Sequence, residues 1–313
     1  MKGYIGLDIG GTKILGAIFD ESGKIIKKVK KKTKAQEGID QVIKQIYKVT
    51  DELLEEKFEL LGIGAGSPGI ILDESVVAFS PNIPFRDFDL GKKMKQRYKV
   101  PFTLANDVNM GMYGEWKKAN VKGANNILGL FIGTGIGGAI IIDKKLYTGQ
   151  GGAAELGHIV VEPGGSKCGC GSLGCLEAYS SKTGIQNAAE EFIAQGETSV
   201  LSEYIGDDKA IISSSMLKKA YDEKDAVTVK VMDQAVYYIG IATGSLINIF
   251  HPDIIIFGGG IIEAMGETML SSIEEEAKKH VMPTLFKDVR FELSHLADEA
   301  GIYGAYYLIK DFK

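Results

Sequence analysis

The sequence predicts an α/β protein made of two related domains that share a broad cleft. The chain has 313 residues, a length that suits two domains of about 150 residues each. Its opening, YIGLDIGGTKILGAIF at residues 4–19, is paralleled by NNILGLFIGTGIGGAIII at residues 125–142. In both stretches a glycine-rich turn joins two apolar strands, which indicates an internal duplication.

Local patterns predict the elements of the first domain. Three strands are expected at its start, over residues 3–9, 13–19 and 24–30. A helix follows over residues 39–57, because apolar residues recur there at helical spacing. Strands at 60–66 and 101–105 complete a βββαβαβ order.

The second domain is expected to be richer in helices. Helical patterns lie near residues 176–195, 212–222 and 226–250, and Asp253–Phe257 predicts a buried strand. A last helix, near residues 299–310, is expected to pack back on the first domain. We therefore assign residues 1–106 and 299–313 to a smaller N-terminal domain and residues 107–298 to a larger C-terminal one.

Composition and charge exclude several classes of protein. Apolar residues make up 45% of the chain and charged residues 25%, as in a globular protein with a sizeable core. No apolar run reaches the ~20 residues that span a bilayer, and the sequence begins directly with a strand rather than a secretory signal. We therefore expect a cytoplasmic protein that does not bind membranes.

The net charge of −5 disfavours nucleic acid as a partner. One basic run, KIIKKVKKKTK at residues 24–34, runs against this trend. Lysines on an edge strand deter edge-to-edge pairing, so an edge strand is the expected structure. A phosphate-binding patch is the alternative.

The first glycine turn has the residues that a phosphate site needs. Gly10 and Gly11 let backbone N–H groups approach phosphate oxygens without a Cβ in the way. Thr12 adds a hydroxyl and Lys13 a positive charge, while Asp8 at the strand end is placed to hold Mg²⁺ through water. An ordinary hairpin turn is the alternative.

A second turn, at Gly133, Thr134 and Gly135, repeats this arrangement. Two such turns on equivalent hairpins are what a nucleotide bound between two related domains requires. A third glycine segment, at Gly258, Gly259 and Gly260, follows the buried strand and leaves a bare backbone on which an adenine ring could lie. It is also compatible with a plain strand-to-helix turn.

The three cysteines, Cys168, Cys170 and Cys175, lie within eight residues of one another. Together with His158 they form a Cys₃His set, one of the usual closed tetrahedral zinc sites. Four protein ligands leave no open coordination position, so the zinc is expected to be structural. Three unligated thiols are the alternative.

Polar residues beside these motifs are candidates for substrate contacts. Glu155 and Glu177 flank the cysteine loop, so a metal there would fix two carboxylates near an imidazole, an arrangement suited to sugar hydroxyls. Asn106 and Asp107 follow a short strand and open a helix. Such a pair is commonly a helix N-cap, but a carboxylate facing an ATP cleft could accept the hydroxyl proton in phosphoryl transfer, with Asn106 beside the sugar.

These motifs together resemble the ROK family of repressors, open reading frames and kinases, which is part of the actin-like and Hsp70-like ATPase superfamily. The resemblance covers essentially the whole chain. It rests on LDIGGTK at 7–13, GSPG at 66–69, PN at 81–82, ND at 106–107, GTGIGG at 133–138, ELGH at 155–158 and CGCGSLGCLE at 168–177.

The resemblance implies two RNase H-like domains, with ATP and sugar meeting in the cleft. It makes Asp107 the general base and makes Asn106, Glu155, His158 and Glu177 sugar ligands. His158 would serve both zinc and sugar through its two ring nitrogens. Asn82, Gly66 and Gly69 would complete the sugar pocket.

The resemblance also implies an activity. We expect an ATP-dependent hexokinase of the glucokinase type, with Mg²⁺ at the reacting phosphates, structural Zn²⁺ and a homo-oligomeric state; an N-acetylhexosamine kinase is the alternative. ROK repressors carry a helix-turn-helix domain before the DxGGTK turn, and only seven residues precede Asp8 here. We therefore expect the kinase rather than the sugar-responsive regulator.

Overall fold

The computed structural model describes residues 2–55, 58–118, 121, 123–205 and 211–312. The chain divides into two compact units. The first comprises Met1–Gly123, Thr148–Ala153 and His295–Lys313, and the second comprises Ala124–Tyr147 and Ala154–Ser294. Residues 107–118, which the sequence analysis placed in the larger domain, thus form a helix of the first unit.

The elements are numbered along the chain. The strands are β1 (Lys2–Ile9), β2 (Lys13–Asp20), β3 (Ile25–Lys32), β4 (Glu59–Ser67), β5 (Ile70–Leu72), β6 (Val76–Phe79), β7 (Arg86–Asp89), β8 (Phe102–Asn106), β9 (Ile127–Ile132), β10 (Ile136–Ile142), β11 (Lys145–Leu146), β12 (Ile254–Gly258) and β13 (Arg290–Leu293). The α-helices are α1 (Ile39–Leu53), α2 (Leu90–Tyr98), α3 (Asp107–Lys118), α4 (Glu177–Ser180), α5 (Lys182–Ala194), α6 (Ser214–Asp222), α7 (Ala226–Phe250), α8 (Gly260–Lys278), α9 (Pro283–Phe286) and α10 (Ala300–Asp311).

The first unit is organised around a five-stranded sheet of order β3-β2-β1-β4-β8. The pairs β1–β2 and β2–β3 are antiparallel, whereas β1, β4 and β8 run parallel. The register pairs Asp8 with Gly66, and Ser67 with Asn106. The carboxyl ends of the three parallel strands therefore lie at one edge of the sheet, the place where open α/β sheets bind ligands.

Alternation along β1 decides which side chains reach this edge from each face. Ile5, Leu7 and Ile9 are fully buried in a core that includes the apolar face of α1. Gly6 points to the other face, where α10 packs so closely that an added Cβ would lie 3.3 Å from the Cβ of Ala305. Asp8 alternates with Leu7 and therefore lies on the α10 face.

The second unit repeats this plan with the order β11-β10-β9-β12-β13. Again two antiparallel pairs are followed by two parallel ones, β9–β12 and β12–β13. Its core joins these strands to α5, α6, α7 and α8. The duplicated opening of the sequence thus corresponds to a repeated sheet.

Most predicted elements are present, and the basic run forms β3, the expected edge strand. Three differences stand out. The helix predicted over 39–57 ends at Leu53, and residues 56–57 lie outside the described residues. The helix predicted over 176–195 is divided because the side chain of Ser181 caps a new helix by accepting from the N–H of Gly184. A small sheet of order β5-β6-β7 was not predicted, because its strands are only three or four residues long.

Across the described ranges, we find no helix whose length and apolarity would let it cross a membrane.

Candidate functional site

The first glycine turn connects β1 to β2 and is closed by backbone hydrogen bonds. The N–H of Gly10 donates to the carbonyl of Lys13 at 2.9 Å, and the N–H of Thr33 donates to the carbonyl of Thr12 at 2.9 Å. The buried hydroxyl of Thr33 donates to the carbonyl of Gly10. Thr33 therefore fixes the turn from the end of β3. The sequence analysis missed it, since only the strand pairing brings it to the turn.

Asp8 and Asn82 each lie against a glycine, Gly301 and Gly11 respectively, at which there is little room for a Cβ. A Cβ added to Gly301, in the first turn of α10, would lie 3.1 Å from Cγ of Asp8. The Asp8 carboxylate thus sits at a helix N-terminus, which favours negative charge. A Cβ added to Gly11 would lie 2.8 Å from the Cβ of Asn82. The structure therefore places Asn82 beside the first glycine turn.

Asn106 is the N-cap of α3. This is the commoner of the two roles that the sequence left open for the pair Asn106 and Asp107. Its Oδ1 accepts from the N–H groups of Val108 at 2.9 Å and Asn109 at 3.1 Å. Its Nδ2 donates to the carbonyl of Gly69 at 3.1 Å. Asp107 is the next residue, half-buried, and its Oδ1 accepts from the N–H of Val108 at 3.0 Å. Because Asn106 does the capping, the carboxylate of Asp107 is not needed to begin the helix.

Gly66 and Gly69 let three chain segments converge at the ends of β4 and β8. An added Cβ on Gly66 would overlap the side chain of Met110 and lie 3.5 Å from Cα of Asp107. Gly69 has φ of 110°, and a Cβ there would overlap the carbonyl of Phe79. Only glycine satisfies both the conformation and the space at this position. The first unit thus brings the ends of β1, β4 and β8 together at Asp8, Gly66 and Asn106, with Asp107 next to Gly66.

The second glycine turn, Gly133–Gly135, joins the antiparallel strands β9 and β10 as the first joins β1 and β2, but it is one residue shorter between the last paired residues of its strands. The N–H of Gly133 donates to the carbonyl of Gly135 at 2.9 Å. The start of α5 holds it from outside, because the N–H of Lys182 donates to Gly133 and the hydroxyl of Thr183 donates to Thr134, both at 2.9 Å. Neither α5 residue was recognised from the sequence.

Gly258, Gly259 and Gly260 lie at the same sheet edge as the second glycine turn. The parallel register pairs Gly258 with Phe131, two residues before Gly133. Gly259 has φ of 86° and packs on the backbone of Ile132. Gly260 then begins α8. The structure therefore brings these two predicted nucleotide segments together in the second unit.

The geometry of the cysteine cluster fits a tetrahedral zinc ion. The ligand atoms of His158, Cys168, Cys170 and Cys175 all lie within 4.8 Å of one another. The sulfur atoms of Cys170 and Cys175 are 3.7 Å apart, and Cys168 Sγ is 3.6 Å from His158 Nδ1. Around zinc with bonds of about 2.3 Å to sulfur and about 2.0 Å to nitrogen, ligand atoms lie roughly 3.5–3.8 Å apart. These two pairs have that spacing, and the four residues together are compatible with a zinc ion.

The thiols of this cluster have opposite tendencies. A hydrogen bond from the backbone of Ser172 lowers the pKa of Cys170 to about 7, whereas burial raises the pKa of Cys175 to about 12. A cation provides the stabilisation that a buried thiolate otherwise lacks, since a coordinating thiol is deprotonated outright. The chemistry of the donor set thus agrees with its geometry.

The two glutamates next to the cluster differ in their surroundings. Glu155 is exposed and precedes the short turn Leu156–His158, where the N–H of His158 donates to the carbonyl of Glu155 at 3.0 Å. Glu177 is half-buried at the start of α4. Its Oε2 accepts from the N–H of Ile136 at 2.8 Å, and its Oε1 lies 3.8 Å from Cys168 Sγ. Glu177 therefore lies between the cysteine cluster and the second glycine turn.

Known proteins resemble the chain over nearly its whole length. The ROK family model matches residues 4–312. A glucokinase from Halalkalibacterium halodurans is 35% identical, with 98% of this chain and 94% of that protein covered. A xylose repressor from Bacillus spizizenii is 30% identical, with 96% of this chain and 76% of that protein covered.

Solved structures agree with this assignment. The crystal structure of a ROK family glucokinase from Streptomyces griseus, in complex with glucose and AMPPNP, matches with a TM-score of 0.80 and 30% identity. It covers 98% of this chain and 99% of that one. The match confirms the predicted fold class, α/β with RNase H-like domains of the actin-like ATPase type. On the family model and the full-length relatives alike, the chain belongs to the ROK family.

Proposed function

We propose that the chain is an ATP-dependent glucokinase that converts glucose to glucose 6-phosphate. The glucokinase relative at 35% identity and the Streptomyces griseus complex with glucose and an ATP analogue support this activity. The observation that carries the proposal is the repeated glycine turn, one in each unit, combined with a carboxylate at the end of β8. Phosphoryl transfer requires this combination of phosphate-binding backbone and a base near the acceptor hydroxyl.

In the first unit we assign the roles as follows. Asp107 accepts the proton of the glucose hydroxyl while that oxygen forms its bond to the γ-phosphorus and the bond to the departing ADP breaks. Asp8, a carboxylate beside the glycine turn, would hold Mg²⁺, which neutralises charge on the phosphate oxygens when bound. The remaining residues of this unit bind sugar (Gly66, Gly69, Asn82, Asn106) or phosphate (Gly10, Gly11, Thr12, Lys13).

In the second unit, the proposed sugar ligands are Glu155, His158 and Glu177. The Nδ1 of His158 faces Cys168, so Nε2 is the nitrogen that would bind the sugar. The proposed nucleotide segments are Gly133, Thr134 and Gly135 together with Gly258, Gly259 and Gly260. Zinc on His158, Cys168, Cys170 and Cys175 would hold these ligands in place without taking part in the reaction.

Two alternative functions, a sugar-sensing regulator and an N-acetylhexosamine kinase, must be excluded by experiment. The similarity to a xylose repressor raises a sugar-sensing role, and one acetamido group would turn the preferred sugar into an N-acetylhexosamine. The identity to the glucokinase, 35% against 30% for the repressor, favours the kinase.

A coupled assay of ADP release tests the proposal. With Mg²⁺-ATP we expect the largest kcat/KM for glucose among glucose, mannose, fructose, xylose, N-acetylglucosamine and N-acetylmannosamine. In parallel, binding to genomic DNA fragments is measured at physiological salt with and without each sugar. A preference for an N-acetylated sugar would replace the substrate, whereas no ADP release together with sugar-sensitive binding to one DNA site would replace the function.

A further inference from the structure

We propose that Glu177 is a positioning residue for nucleotide binding, because it holds the second glycine turn in the shape that receives phosphates. This role is additional to sugar binding, and it rests on the proposed function. The chain of contacts that supports it lies within the second unit.

The first step is the bond between Glu177 and the turn. Glu177 Oε2 accepts from the N–H of Ile136, the residue directly after Gly135, at 2.8 Å. A Cβ added to Gly135 would have the carboxyl atoms of Glu177 as its three nearest neighbours, with Oε2 at 2.5 Å. The carboxylate therefore packs directly under the turn and is bonded to it.

The second step is the need for such a bond. Glycine loses more conformational freedom on ordering than any other residue, so a turn with glycines at 133 and 135 requires external contacts to stay in one shape. Lys182 and Thr183 bond the carbonyl groups of Gly133 and Thr134. Glu177 accepts from the N–H of Ile136, directly after the turn. Hydrogen bonds therefore hold these two carbonyl groups of the turn and the N–H group that follows it.

The third step is the rigidity of Glu177 itself. Cys175 lies two residues earlier and is bridged to Val160 as in an antiparallel sheet. The N–H of Leu176 donates to the carbonyl of Ile159 at 2.9 Å, and the N–H of Ala178 donates to the carbonyl of Cys175 at 3.0 Å. The cysteine loop therefore fixes the backbone from which Glu177 reaches the turn.

A carboxylate near phosphate groups also has an opposing effect. Its negative charge weakens binding of an anion, whereas its hydrogen bond preorganises the turn. Glutamine separates the two effects, since its amide oxygen accepts from the N–H of Ile136 without the charge. If Glu177 binds only the sugar, neither its charge nor its hydrogen bond should change the affinity for ADP.

The experiment measures ADP binding by calorimetry without sugar, on protein whose zinc content and folding have been checked. Glu177→Ala should bind ADP roughly tenfold more weakly than Glu177→Gln, the effect of losing the hydrogen bond alone. Glu177→Gln should bind ADP at least as tightly as wild type. Glu162→Ala is the matched control, because Glu162 bonds Tyr238 rather than the turn, and it should leave ADP binding unchanged.

A double-mutant cycle tests the contact between Glu177 and Gly135 directly, by comparing the effect of Gly135→Ala on ADP binding in two backgrounds. Gly135→Ala should weaken ADP binding less in the Glu177→Ala background than in wild type, because the added methyl group then has room. Equal ADP binding by Glu177→Gln and Glu177→Ala, which both lack the charge, would overturn the positioning role and leave the glucokinase proposal intact. Absence of ADP binding by the wild type would overturn both.

Discussion

Asp107→Asn should nearly abolish glucose phosphorylation while glucose binding is largely kept. Losing a general base typically lowers turnover by about 10²–10⁴-fold. The variant should fold, because the helix is capped by Asn106, whose Oδ1 accepts from the N–H groups of Val108 and Asn109. Steady-state kinetics and glucose binding by calorimetry measure the two effects separately.

Asp89→Asn is the control for this variant. Asp89 also stands at a helix start in the first unit, where it accepts from the N–H of Lys92 at 2.7 Å and from the hydroxyl of Ser75 at 2.6 Å. Its replacement should leave turnover within about twofold of wild type, the scatter expected of a substitution that touches no reacting group. More than about half of the wild-type turnover in Asp107→Asn would remove Asp107 from the mechanism.

Cys170→Ser should release the metal and lower both thermal stability and glucose affinity. Freshly purified wild type should contain about one zinc ion per chain. Cys170 is exposed, so the substitution removes no buried packing and its effect passes through the metal. Because metal binding is coupled to folding of the loop, we expect the unfolding temperature to fall by about 10 °C.

Leu173→Ala serves as the control within the same loop. Leu173 is 50% exposed and is not one of the four candidate ligands. This variant should keep its zinc and its glucose affinity, with only a small change in unfolding temperature. Metal analysis and thermal unfolding measure these effects. Active wild-type protein without bound metal would show that the cluster is not a zinc site.

Features set by neighbouring residues could be predicted from the sequence. Cys168, Cys170 and Cys175 lie in one loop, so their spacing alone indicated a metal site, and their geometry is compatible with one. The lysines of β3 also follow one another closely in the sequence, so they predicted the edge strand that the sheet contains. Glycine turns between apolar strands likewise identified the two hairpins that the repeated sheets contain.

Contacts between distant residues could not be predicted. The bond from Ile136 to Glu177 joins residues 41 positions apart, so local sequence patterns do not reveal it. Thr33 reaches the first glycine turn only because β3 pairs with β2. For Asn106 and Asp107 the sequence left two roles open, and the structure gives the cap to Asn106, whose side chain makes the hydrogen bonds.

The most direct test of the glucokinase proposal is to identify the product by phosphorus NMR. Wild-type protein is incubated with glucose and Mg²⁺-ATP, and the phosphorus signals are followed over time. We predict that the γ-phosphate signal of ATP is replaced by equal amounts of ADP and glucose 6-phosphate, and that Asp107→Asn forms neither at a comparable rate. Release of inorganic phosphate instead of a sugar phosphate, or an unchanged ATP spectrum, would contradict the account.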